Sequence, residues 1–149
     1  MFLAIAGVVA VAAWYLKPDP KPGPLGLDQG ALRPCPESPN CVCSLASDGH
    51  AVAAFQLAVP WVDARGKIVS ALSGMTGFKV VKVEDDYLHL ECRTLLMRYV
   101  DDLELHWDAK AGLLHVRSAS RVGYSDLGAN RKRVEAVRSN FRAAGWLKP

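Results

Sequence analysis

The hydrophobic positions of the chain follow three different rhythms. Phe2 to Leu16 is an unbroken apolar run. From Pro60 to Met75 the residues Trp61, Ile68, Val69, Leu72 and Met75 keep helical spacing, with Pro60 suited to a helix start and Gly74 and Gly77 to its end, so a helix is predicted there. From Phe78 to Arg121 the period drops to two. That pattern predicts four strands, at about 78–84, 87–95, 98–107 and 113–121. Asp85-Asp86 and Asp108 to Gly112 turn the chain, and connections that short make neighbouring strands antiparallel. After a loop from Val122 to Ala129, helical spacing returns at Val134, Val137, Phe141 and Ala144. The predicted fold class is therefore α+β: a four-stranded antiparallel sheet, one helix before it and one after it, both packed on its apolar face. The other face carries Tyr87, His89 and Glu91, then Asp102, Glu104 and His106, then His115, Arg117 and Arg121, and is expected to point outward to solvent.

The first segment sets the expected location. Its 15 apolar residues are fewer than the ~17–25 of a membrane span and match the core of a secretory signal. Ala10-Val11-Ala12 offers a cleavage site, whereas Trp14 and Tyr15 resemble an interfacial anchor. Residues 1–16 are expected to be a membrane anchor or signal segment. Residues 17–31 are expected to be a proline-rich linker, since four prolines between Lys17 and Pro24 favour extended polyproline II structure. Residues 32–145 then form a single α+β domain. The expected location is the bacterial cell envelope, with the domain held outside the cytoplasm and the membrane as a partner through the N-terminal segment.

Four cysteines allow three disulfide pairings. In the stretch RPCPESPNCVCS, Cys35 and Cys41 close a tight loop, and outside the cytoplasm such a pair is expected to form a disulfide. Cys43 is left over. Cys92 shares a strand face with Leu88 and Leu90 and reads as a buried thiol. Zinc sites use two C-x-x-C pairs or cysteine with histidine, and Cys41-Val42-Cys43 has neither spacing, so no metal or other cofactor is expected. Prolines 34, 36 and 39 exclude helix and central strand from this stretch.

Charge is unevenly spread. The formal net charge is +3, yet residues 117–142 hold seven cations against Asp126 and Glu135, a local +5. A basic C-terminal third favours an anionic partner. Nucleic acid is not expected, because only Tyr124 and Phe141 accompany those cations and Phe141 lies on the apolar stripe. If Asn130 caps the second helix, its first turn is Arg131-Lys132-Arg133, three cations at the positive end of a helix dipole, an arrangement an anion would relieve. The alternative is an earlier start capped by Ser125 or Asp126. The candidate ligand-binding residues are Arg117, Arg121, Tyr124, Ser125, Asp126, Asn130, Arg131 and Arg133. No catalytic residue is assigned: Asp101 and Asp102 fall on opposite faces of a strand and cannot form a carboxylate pair. Motifs for a nucleophile elbow, a phosphate-cradling loop and H-E-x-x-H zinc binding do not occur.

Two stretches together, RPCPESPNCVCS and YVDDLEL…VRSASRVGYSDLGANRKR, resemble the bacterial and plastid family of the domain of unknown function 1499. The resemblance spans about Leu32 to Ala144. It implies a domain often found behind signal peptides or membrane segments, and it supplies no biochemical activity. Its signature positions include Cys35, Asn40, Cys41, Asp101, Asp102, Arg117, Arg121, Asn130, Arg131 and Arg133. The functional expectation is thus a membrane-tethered envelope domain that binds an anionic small ligand or lipid head group. A purely structural or interaction domain is the first alternative. A small hydrolase or isomerase using Asp102, His115 or Asp126 is the second. The sequence leaves the oligomeric state open.

Overall fold

Alternation on the strands decides which way the sheet is covered. The computed structural model describes residues 18–94 and 97–149. A short hairpin comes first, β1 (Leu27–Asp28) with β2 (Ala31–Leu32), followed by β3 (Cys41–Cys43), α1 (Trp61–Ser73), β4 (Phe78–Val83), β5 (Tyr87–Arg93), β6 (Val100–Asp108), β7 (Leu113–Ser120) and α2 (Ala129–Ala143). The main sheet has five strands in the order β3-β7-β6-β5-β4, all pairs antiparallel. The four predicted strands are its β4 to β7. The fifth, β3, lies in the proline-rich cysteine stretch and pairs Cys41 with Ala119, Val42 with Ser118 and Cys43 with Arg117. Three residues are too few to show a period, and the prolines before them confine the strand to the sheet edge.

One face of the sheet is the hydrophobic core. Leu88, Leu90 and Cys92 of β5, Leu103 and Leu105 of β6, and Leu114 and Val116 of β7 alternate onto it. Helix α1 lays Trp61, Ala64, Ile68 and Leu72 against them, and α2 lays Val134, Val137 and Phe141. Pro60 precedes α1, and Gly77 returns the chain to β4. At φ +83°, Gly77 sits so close to β5 that an added Cβ would lie 2.4 Å from the Arg93 carbonyl oxygen. Beyond α2, Trp146 and Leu147 pack back on the core.

The second face was expected to meet solvent, and it does not. Asp102 is 2% exposed and Glu104 0%. Residues 18–36 run across this face. β2 lies against β6 and β7. Asp19 pairs with Arg93, the Pro20 carbonyl accepts from Arg121 at 3.1 Å, and the Gly26 N–H donates to Glu104 at 2.8 Å. Residues 18–26 of the expected linker thus belong to a cover over the sheet. They carry little apolar periodicity, and bury polar surface by supplying hydrogen bonds instead. No helix among the described residues is long and apolar enough to cross a membrane, and the apolar run at residues 2–16 lies outside the described residues.

Candidate functional site

Strand register assembles the polar face row by row. Tyr87 stands beside His106, His89 beside Glu104, and Glu91 beside Asp102. On the other side Glu104 stands beside Arg117 and His106 beside His115. Cross-strand neighbours lie within reach of one another, so opposite charges in register become ion pairs. Glu104 accepts from the Tyr87 hydroxyl at 2.6 Å and from Arg117 Nη1 at 2.8 Å. Asp102 accepts from His89 Nε2 at 2.8 Å and from Arg121 Nε and Nη2 at 2.9 and 2.7 Å. Arg121 Nη2 also reaches Glu91 at 2.8 Å.

The environment sets the charge states. Burial pushes the Asp102 carboxyl up, but the bonds from His89 and Arg121 outweigh it and hold the group below its ordinary 3.8. Arg121 is raised by its bond to Asp102. Burial, and then the bond to Glu104, raise the Tyr87 hydroxyl. Burial lowers His115, whose Nδ1 meets Ser44 Oγ at 3.0 Å.

The predicted ligand residues divide between three places. Arg117 and Arg121 lie in this covered face. Asn130 and Arg133 lie on the opposite, helix-bearing face. Asn130 is fully buried; its Oδ1 accepts from Ser118 and Arg133, and its Nδ2 donates to the Asn40 carbonyl, Ser120 and Asp126. Arg133 Nη2 pairs with Asp101 at 2.5 Å. Asp101 and Asp102 therefore do point to opposite faces, each with its own arginine.

Ser125, Asp126 and Arg131 line a third place, a cleft of about 330 Å³ with Pro39 and His50 at the start of α2. The helix begins at Ala129, and Asp126 supplies the anion that its N-terminus calls for. It accepts from the Gly128 N–H at 2.9 Å, the Asn130 N–H at 2.8 Å and the Asn130 side chain at 2.7 Å. Burial pushes its carboxyl up, yet those bonds keep it below the usual value. Arg131 donates to the carbonyls of Ala51 and Gly49 at 2.7 and 2.9 Å. Tyr124, 76% exposed, joins none of these groups. The eight residues therefore do not converge on one cleft: Arg117 and Arg121 point to the covered face, whereas the loop and α2 hold Ser125, Asp126, Asn130, Arg131 and Arg133 on the helix side of the sheet.

The cysteines behave more simply. Cys35 and Cys41 form the expected disulfide, and Cys43 and Cys92 are buried thiols, both raised chiefly by burial, Cys92 to about 12. Among the described residues no cluster of three His, Cys, Asp or Glu side chains is placed to hold a metal ion.

Sequence reasoning put Glu104, His89 and Tyr87 on the right face and assigned them no role. Their alternation was visible; the cover that makes them matter was not. Asn40, whose Nδ2 donates to the Gly123 carbonyl at 2.6 Å, ties the cysteine stretch to the loop before α2. The two motif stretches of the sequence are thus one structural unit. No curated protein and no solved structure matches the chain. The model of the family described as protein of unknown function DUF1499 matches residues 31–141, and the chain belongs to that family.

Proposed function

We propose that this chain is a membrane-tethered domain of the bacterial cell envelope whose motif arginines are architectural: they clamp the N-terminal cover and helix α2 to the two faces of the sheet. The observation that supports this most is the fate of the two guanidiniums at the centre of the motif. Arg121 spends its donors on Asp102, Glu91 and the Pro20 carbonyl, and Arg133 on Asp101, Ser118 and Asn130. An arginine kept for a ligand would present an unoccupied fork of N–H groups. These two present theirs to the protein, from opposite sides of the sheet. The Cys35–Cys41 disulfide favours an oxidising compartment and so a domain outside the cytoplasm.

The test is thermal unfolding with and without inorganic phosphate. Arg121→Ala and Arg133→Ala each strand a buried aspartate and should destabilise the protein alone by ~3–5 kcal/mol. Variants that keep the parent midpoint but lose a phosphate-dependent rise would instead establish an anion site at these residues.

A further inference from the structure

A cavity of about 350 Å³ lies between the cover and the polar face. Gly23, Pro24, Leu25 and Arg33 to Pro36 form one wall, and Asp102, Arg117, Ala119 and Ser120 the other. We propose that it is a binding site for a small monocarboxylate with an apolar body, the carboxylate resting on the Nε–Nη2 edge of Arg117. This goes beyond the architectural reading, because it assigns a ligand to a guanidinium that the clamps do not use up.

Arg117 differs from the other motif arginines in one respect. It is 6% exposed, and among the described residues only its Nη1 has a partner, Glu104. Its Nε is buried with no hydrogen-bond partner, and the residue lines the cavity. Buried donors are nearly always satisfied, so an orphan on a charged group in a cavity wall marks where an acceptor belongs. The Nε–Nη2 edge matches the two oxygens of a carboxylate.

Charge and shape narrow the ligand further. The lining side chains hold two guanidiniums, Arg33 and Arg117, and the carboxylate of Asp102; Arg33 pairs with Asp28 at 3.3 Å and Arg117 with Glu104 at 2.8 Å. Both Asp102 oxygens are already engaged by His89 and Arg121. With Asp102 and Glu104 this close, a ligand of one negative charge is repelled less than a phosphate dianion, and the free donors of Arg117 set where its carboxylate rests. Pro24, Leu25, Pro34 and Pro36 give the rest of the ligand apolar, rigid surroundings. The volume falls near the lower end of the ~300–1,000 Å³ typical of small-molecule sites, which fits a short acid.

The test is NMR of the full chain titrated with hexanoate, with 1-hexanol and inorganic phosphate as comparisons. Hexanoate should saturably shift the Arg117 Nε–H signal and the amides of Leu25, Arg33 and Ala119. Hexanol should leave the Nε–H signal in place, and phosphate, which brings a second charge and no apolar body, should bind roughly tenfold more weakly. Ala119→Val, which fills the cavity with a residue strands favour, should abolish the hexanoate shifts while the rest of the spectrum is retained. Arg33→Gln should weaken binding by about tenfold. An unmoved Nε–H signal, hexanol acting as hexanoate does, phosphate binding as tightly, or unimpaired binding by Ala119→Val would each overturn the assignment. None of these readouts depends on Arg121 or Arg133, so the site and the clamps fail separately.

Discussion

Both faces of the sheet are covered, by different physics. On the helix side, Leu88, Leu103, Leu105 and Val116 meet Ile68, Leu72, Val137 and Phe141, and shape and apolar area hold the contact. On the cover side, Glu104, Asp102, Arg117 and Arg121 meet one another and the backbone of residues 18–26. An apolar face loses stability gradually as atoms are removed. An ion-paired face gains little net stability from each pair but is severely damaged when one partner goes, because the other charge stays buried.

Glu104 gives the largest break in that symmetry. Glu104→Ala leaves Arg117, Tyr87 and the Gly26 N–H without their acceptor and should cost ~3–5 kcal/mol in urea unfolding. Leu105→Ala, one residue along and on the other face, should cost ~2–5 kcal/mol through its cavity. The double change Glu104→Leu with Arg117→Met should recover part of the first loss, since a buried pair is replaceable by apolar groups of similar volume. If Glu104→Ala costs less than about 1 kcal/mol, the exposed-pair range, the covered face is looser than its geometry.

The disulfide sharpens the comparison, because it ties the cover to the sheet edge. Cys35 and Cys41 are six positions apart. For so short a loop, replacing both by serine should cost ~2 kcal/mol. Hydrogen exchange should show the loss first in residues 25–36 and last in β5 and β6, where amides lie in the centre of the sheet. Uniform loss of protection would mean that cover and core unfold together.

Acid separates the faces next. Asp102 is held below 3.8 in the folded protein, so its contribution is fully present above that value and is lost as pH falls through the lower, folded one. His115, lowered by burial from 6.5, works in the same direction at higher pH. The folded chain binds fewer protons there than the unfolded chain, so stability should decline as pH drops below 6.5. His115→Gln should flatten the decline between pH 6.5 and the carboxylate range, and Leu105→Ala should leave its slope unchanged in a pH series of melting curves.

The smallest expected effect lies in the loop before α2. Leu127 holds φ +53° while 89% exposed, a left-handed backbone that a leucine adopts at a cost. Asparagine tolerates that region, so Leu127→Asn should raise stability by about 0.5–1 kcal/mol. An unchanged melting point would mean that Leu127 makes a compensating contact.

Much of this was written in local pattern. Alternation from Phe78 onward fixes the strands and their faces, since a strand cannot present neighbouring residues to the same side. Helical spacing fixes the inner stripes of α1 and α2, and Asp101 and Asp102 could be placed on opposite faces from position alone. Of the two helix starts the residues allowed, the one at Asn130 is overturned: the helix starts earlier, capped by Gly128 rather than by Ser125 or Asp126, with Asp126 accepting from the Gly128 and Asn130 N–H groups. What local pattern could not contain is the path of residues 18–36. That segment has no apolar period, and its hold on the sheet comes from Asp19, the Pro20 carbonyl and the Gly26 N–H meeting partners some 70 to 100 positions away. Tertiary structure alone decided that the charged face is interior. With that, it decided that both terminal nitrogens of Arg121 and of Arg133 are engaged, whereas Arg117, paired with Glu104 through Nη1, keeps a buried Nε without a partner in the wall of a cavity.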